Sequence, residues 1–110
     1  MIFDLQVANQ GSTSVVRISG DVDVYTAPRF DECLQSLIAD GKTSIAVDLE
    51  NCTYFDSEGI KALIKAMRKV NGQVSLIITG ARGIVLRIFE ITGIKTLLTM
   101  LPSINDLPIQ

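Results

Sequence analysis

Two short, almost uninterrupted apolar runs, at residues 45–49 and 74–78, most constrain the fold of this chain. Each run has the length of a strand buried on both faces, which is typical of a parallel sheet. Each is followed by a segment with the period of an amphipathic helix, the first from about Ser57 and the second from about Arg82. Two successive strand–helix units predict neighbouring parallel strands joined by right-handed crossovers.

The N-terminal segment has a different period, that of a half-buried strand. Apolar and polar side chains alternate over residues 3–7, and residues 9–12 are typical of a turn. A second strand over residues 13–19, ending at Gly20, would close a hairpin with the first. The sheet is therefore expected to begin with an antiparallel pair.

Three helices are predicted between and after these strands. The first begins at Thr26, whose hydroxyl can cap it, and ends at Gly41. The second ends at the Asn-Gly stop signal of residues 71–72. The third has three isoleucines on one apolar face: Ile84, Ile88 and Ile91.

These elements predict that residues 1–110 form one α/β domain, a length that suits a single hydrophobic core. The expected sheet is mixed, with four to five strands, an N-terminal antiparallel hairpin and helices packed mainly on one face. Residues 97–101 could form a last short strand or a turn packed on the sheet.

The composition excludes several classes of function. The net charge of -2 leaves no overall positive field to attract a nucleic-acid backbone. The chain has no histidine to serve as the base of a Ser-His-Asp constellation or as a metal ligand. Cys33 and Cys52 do not have metal-ligand spacing, and no glycine-rich phosphate loop motif occurs. We therefore expect no enzymatic activity, no cofactor and no bound metal.

The apolar runs also bear on location. None approaches the ~20 apolar residues that a membrane-spanning helix needs, and no basic region followed by an apolar stretch opens the chain. We expect a cytoplasmic protein, a monomer or weak dimer, whose partners are other proteins.

The segment Asp-Ser-Glu-Gly-Ile at residues 56–60 leads from the first apolar run into its helix. Asp56 or Ser57 can cap that helix by accepting hydrogen bonds from its unpaired amides. Gly59 costs helix stability relative to alanine, which indicates the close approach of another group. A phosphate on Ser57 would meet free amides and the positive end of the helix dipole. Acidic neighbours would make that surface strongly negative, so modification should change binding more than fold.

With these residues the chain resembles the STAS domain family, in particular the stand-alone bacterial anti-sigma factor antagonists. Residues 56–59 after the buried strand are similar to the family's D-S-x-G phosphorylation motif. The Gly-Asp-Val-Asp of residues 20–23 is similar to the family's G-x-[IVL]-[DN] segment before its first helix. Residues 91–94 resemble the end of its last helix, and the resemblance covers nearly the whole chain.

The resemblance implies that Ser57 is phosphorylated by a partner that is both an anti-sigma factor and a serine kinase. The unphosphorylated protein would bind this partner and free the sigma factor, and a serine phosphatase would restore the phosphorylated form. ATP would belong to the kinase. Glu58 departs from the family, in which this position is commonly small or hydroxylated. It would oppose modification if it points at the phosphate and tune partner choice if it points to solvent.

The partner-binding surface implied by the resemblance and the neighbouring residues comprises Asp21, Asp23, Tyr25, Thr26, Asp56, Ser57, Glu58, Gly59 and Lys61. The alternative within the family is a scaffold subunit of a stress-signalling or transporter-associated complex. A phospho-aspartate receiver is disfavoured because the first two strands form a hairpin and no lysine follows residues 74–78. The basic face of the second helix (Lys61, Lys65, Arg68 and Lys69) is expected to be solvated, with Lys61 the exception because it lies one turn from Ser57.

Overall fold

The computed structural model describes residues 3–69 and 74–107. Within these ranges the strands are β1 (Asp4–Gln10), β2 (Thr13–Val22), β3 (Ser44–Phe55), β4 (Ser75–Thr79) and β5 (Thr99–Leu101). The α-helices are α1 (Ala27–Ala39), α2 (Ser57–Lys69) and α3 (Gly83–Ile91), and 3-10 turns occupy Ile94–Thr96 and Ile104–Asp106. The stop signal predicted at residues 71–72 lies outside the described residues.

The strands form one mixed sheet in the order β1-β2-β3-β4-β5. β1 and β2 are antiparallel, as the hairpin prediction required, and every later pair is parallel. β5 adds the fifth strand, so the segment at residues 97–101 ends in a short strand that pairs with β4. The predicted fold class is confirmed.

All three α-helices pack on one face of the sheet, where they bury the main core. Three fully buried aromatic rings lie at its centre: Phe55 is 5.8 Å from Phe30 of α1 and 5.2 Å from Phe89 of α3, between ring centroids. The opposite face carries a smaller cluster of Val15, Ala46, Ile104 and Leu107. The helices are therefore mainly on one side, and the last 3-10 turn covers part of the other.

The apolar face predicted for α3 is wrong. Val85 and Phe89 are the buried residues of this helix, whereas Ile84 and Ile91 are 53% and 65% exposed. The helix is rotated because Phe89 packs against the ring of Phe55, which brings the Val85 and Phe89 row onto the sheet. Ile88 is only partly buried beside this core.

β3 is longer than the apolar run that predicted it. It continues through residues 50–55, beyond the apolar run of residues 45–49, and stays paired with β2 up to Val22 and Phe55. The register shifts twice along this pair, and the buried side chains from the end of the apolar run onward, Leu49, Cys52 and Phe55, are three residues apart. The apolar–polar alternation expected of a strand is lost here, because each register shift changes which side chains point into the core.

Candidate functional site

The candidate site lies at the sheet edge where the carboxyl ends of β2 and β3 meet. The last pair in their register is Val22 with Phe55, and the Asp56 amide donates a hydrogen bond to the Val22 carbonyl oxygen at 3.0 Å. This bond holds the start of α2 beside the loop that leads into α1. The acidic segment before α1 and the Asp56–Ser57 segment are therefore adjacent, as the candidate surface requires.

Asp56 caps α2. Its side-chain Oδ1 accepts the Glu58 amide at 2.8 Å, and its carbonyl oxygen accepts the Ile60 amide at 3.2 Å. Ser57 is then the first helical residue; it is exposed, and its hydroxyl makes no hydrogen bond with any residue in the described ranges. Of the two cap candidates, the aspartate takes the role, which leaves the serine hydroxyl available to a modifying enzyme.

The loop before α1 is closed by its own side chains. Asp23 Oδ1 accepts the amides of Tyr25 at 2.9 Å and Thr26 at 3.1 Å. Thr26 Oγ1 accepts the Asp23 amide at 2.9 Å and lies 2.7 Å from the Asp21 carbonyl oxygen, to which it donates. Thr26 occupies the N-cap position, but its hydroxyl bonds no amide of α1, so the predicted side-chain cap is wrong. The hydroxyl instead fixes the loop.

Apolar side chains are exposed on this loop and beside it. Tyr25 is 86% exposed and Val24 59%, while Tyr54 at the end of β3 is partly exposed. Sequence reasoning included Tyr25 and missed Val24 and Tyr54, since apolar residues at strand ends usually read as core. The available signal was that Val24 directly follows Asp23 and that Tyr54 lies two residues before Asp56. Exposed aromatic and aliphatic groups within a polar rim are typical of protein interfaces.

Gly59 is buried, and its clearance serves the molecule itself. A Cβ at this position would lie 2.6 Å from Phe55 Cε1 and 2.9 Å from Val22 Cγ1. The predicted close approach is present, but the neighbours are β2 and β3. This corrects the assignment of Gly59 to the partner surface, because its backbone is covered by the core.

Glu58 is directed along the helix to Lys61. Its Oε2 lies 3.1 Å from Lys61 Nζ, with the two side chains 39% and 71% exposed. Both residues line a groove of about 250 Å³ between the N-terminal parts of α1 and α2, together with Val24, Ala27, Pro28, Asp31, Ala62 and Lys65. The carboxylate next to Ser57 is thus paired within the unmodified protein.

The electrostatics of this edge are negative. Four carboxylates, those of Asp21, Asp23, Asp56 and Glu58, belong to it, and Thr53 Oγ1 donates a hydrogen bond to Asp21. Beneath them Cys52 donates its thiol hydrogen to the Tyr54 carbonyl oxygen at 3.2 Å. Burial, with a smaller repulsion from Asp21, raises the pKa of the Cys52 thiol to about 11. The thiol stays protonated at neutral pH, so it is a poor nucleophile.

The basic face of α2 is solvated, as expected, since Lys61, Lys65, Arg68 and Lys69 are all exposed. Lys65 Nζ also lies 3.0 Å from Asp31 Oδ2 of α1, an ion pair between the two helices. Lys61 is the cation that lies nearest along the helix to Ser57, and its partner in this state is Glu58.

The described ranges offer no group of three or more histidine, cysteine, aspartate or glutamate side chains that could hold a metal ion. Among the same residues, no helix combines the length and apolar character needed to cross a bilayer. The site therefore consists of a free hydroxyl at a helix start, a carboxylate cluster, exposed apolar side chains and a shallow groove. Such a surface is suited to docking and modification.

The STAS domain family profile matches residues 4–107. An anti-sigma-B factor antagonist from Staphylococcus aureus is 34% identical over 99 residues, which cover 89% of this chain and 92% of that protein. A crystal structure of an anti-sigma factor antagonist from Mycobacterium paratuberculosis has a TM-score of 0.88 and 25% identity, covering 96% of this chain and 90% of that one. The Bacillus cell fate determinant SpoIIAA in its phosphorylated form has a TM-score of 0.70 and 20% identity, with 96% and 95% covered.

Proposed function

The chain belongs to the STAS domain family, and on this premise we propose that it is an anti-sigma factor antagonist switched by phosphorylation of Ser57. The unphosphorylated protein binds an anti-sigma factor that is also a serine kinase, and so releases the sigma factor. Phosphorylation ends this binding, and a serine phosphatase reverses it.

The observation that carries the proposal is the state of Ser57. Ser57 is exposed, Asp56 supplies the helix cap in its place, and the Ser57 hydroxyl has no hydrogen-bond partner among the described residues. A serine that itself capped the helix would have its hydroxyl held against the helix amides, where a kinase reaches it less readily. Here Ser57 is exposed, and the phosphate can be added beside amides and a dipole end that favour negative charge.

The relatives support the antagonist role. The match to the Staphylococcus aureus anti-sigma-B factor antagonist covers nearly the whole of both chains, so no large part of that protein lacks a counterpart here. The fold shared with phosphorylated SpoIIAA supports the view that this architecture can persist with a phosphate attached.

The partner surface in this proposal centres on the apolar side chains of Val24 and Tyr25, framed by Asp23 and Asp56. Burying Tyr25 against a partner would contribute much of the affinity, since aromatic anchors commonly dominate interfaces. A dianion on Ser57 would have to be desolvated among carboxylates or would hold the surfaces apart. The protein acts in the cytoplasm in this proposal, without a cofactor or catalytic activity of its own.

Phosphate mapping tests the site. Wild type incubated with ATP and its cognate kinase should gain one phosphate at Ser57, by intact mass and peptide sequencing. Ser57→Ala should gain none, while Ser36→Ala, which changes an exposed serine of α1, should behave as wild type. Phosphate retained by Ser57→Ala would contradict the assignment. Binding unaffected by full phosphorylation would instead favour a scaffold role.

A further inference from the structure

The charge pair beside Ser57 is arranged so that phosphorylation can rearrange it. Lys61 is three residues after Glu58 and four residues after Ser57 on α2. Positions three and four apart are neighbours on a helix surface, so Lys61 can reach either side chain. Of Ser57 and Glu58, only Glu58 is negatively charged in the unmodified protein, and Lys61 pairs with it at 3.1 Å.

From this geometry we infer that Lys61 is a positioning residue that exchanges Glu58 for the phosphate when Ser57 is modified. The inference rests on the proposed phosphorylation of Ser57 and concerns what that event does to the groove. Glu58 is then left without its counter-ion on the groove wall, so one modification changes the charge at two places.

The competition favours the phosphate because of its charge. Phosphoserine carries about 1.5 to 2 negative charges at neutral pH, against one for the carboxylate. An acidic group three or four residues before a lysine is well placed to pair with it on a helix, so the spacing from Ser57 to Lys61 does not oppose the exchange. Lys61 is 71% exposed, so its side chain can turn without disturbing the core.

Among the residues that the structure describes, no other cation of α2 lies as near to Ser57 along the helix. Lys65 is held by Asp31 at 3.0 Å, and Lys69 lies three turns from Ser57. The remaining charges of the edge, those of Asp21, Asp23 and Asp56, are all negative. In the described part of the chain, Lys61 is therefore the cation within one helical turn of the phosphate.

The exchange also explains the glutamate after the serine. A fixed negative charge next to Ser57 would oppose phosphorylation if it stayed unpaired. Paired with Lys61, it holds the lysine near the site in the unmodified protein, and after modification it becomes an additional unpaired negative charge that a docked partner would have to accommodate.

The test uses full-length protein carrying phosphoserine installed at position 57 by genetic encoding, so no kinase is needed. The second pKa of the phosphate, near 6, is read from the phosphorus chemical shift during a pH titration. A neighbouring cation stabilises the dianion and lowers this pKa. We expect Lys61→Gln to raise it by about 0.3 to 0.7 unit, a two- to fivefold change in proton affinity.

Two further variants separate this role from general effects of charge. Lys61→Arg should keep the wild-type phosphate pKa, because it restores the cation. Lys69→Gln removes the same charge from the same helix at an exposed position and should shift the pKa by less than about 0.1 unit, since screening by salt weakens distant charges. An unshifted Lys61→Gln, or an equal shift in Lys69→Gln, would overturn the exchange. Because the phosphate is preinstalled, either outcome leaves the partner-binding proposal to its own test.

Discussion

Replacing Gly59 with alanine should destabilise the protein although alanine is the better helix former. The added Cβ would lie 2.6 and 2.7 Å from two atoms of the Phe55 ring and 2.9 Å from Val22. That ring cannot move freely, since it is fully buried between Phe30 and Phe89. Overpacking of this kind costs roughly 2 kcal/mol, against a helix-propensity gain of about 0.5–1 kcal/mol. The net loss should be about 1–1.5 kcal/mol, which lowers the melting temperature by roughly 5 °C or more.

Urea denaturation of Gly59→Ala, alone and combined with Phe55→Leu, measures the effect. Leucine lacks the ring atoms nearest the new Cβ, so the alanine should cost at least about 1 kcal/mol less in the Phe55→Leu background. A Gly59→Ala protein as stable as wild type, or identical costs in the two backgrounds, would refute the packing explanation. Either result would mean that a glycine is needed at position 59 for contact with a partner and not for packing against Phe55.

Other consequences can be measured on the isolated protein. Thr79→Val should lower the free energy of unfolding by ~1.5–2 kcal/mol, because the buried Thr79 hydroxyl donates to the buried Asp48 carboxylate at 3.0 Å. The same change at exposed Thr99 should leave the stability nearly unchanged. Equal losses at the two positions would argue against a stabilising bond between Thr79 and Asp48. The Cys52 thiol, with its pKa raised from 9.0 to about 11, adds stability that is complete below pH 9 and is lost as the pH rises toward 11. Stability measured across this window should fall less steeply in Cys52→Ala, and parallel curves would contradict the burial of the thiol.

The sequence predicted the parts of the fold that follow from regular periods. The hairpin, the two strand–helix units and the start of α2 at Ser57 were all visible because apolar side chains recur at two- or three-to-four-residue spacing. The extension of β3 was not, since its irregular pairing with β2 breaks the alternation. The rotation of α3 was also missed, because Val85 and Phe89 form an apolar row as good as the isoleucines, and only contact with Phe55 decides between them.

Some features of the candidate site are also predictable from local sequence patterns, whereas others depend on tertiary packing. A helix cap near Asp56 and Ser57 is a local pattern, so sequence alone could propose it. Which of the two caps the helix depends on side-chain direction, as does the pairing of Glu58 with Lys61. The burial of Gly59 depends on Phe55 and Val22, which come from two different strands. Such choices are made by tertiary packing and leave no trace in a local motif.

The partner switch is tested most directly by calorimetric titration of the cognate anti-sigma factor kinase with Ser57→Ala and Ser57→Asp. Both variants should keep a near-native thermal transition, within about 1 kcal/mol of wild type, because the helix amides and dipole accommodate negative charge at this position. Ser57→Ala should bind as wild type, whereas Ser57→Asp should bind about a hundredfold more weakly, a loss of ~3 kcal/mol. Equal affinities for the two variants, or unfolding of Ser57→Asp, would contradict a switch that acts at the interface.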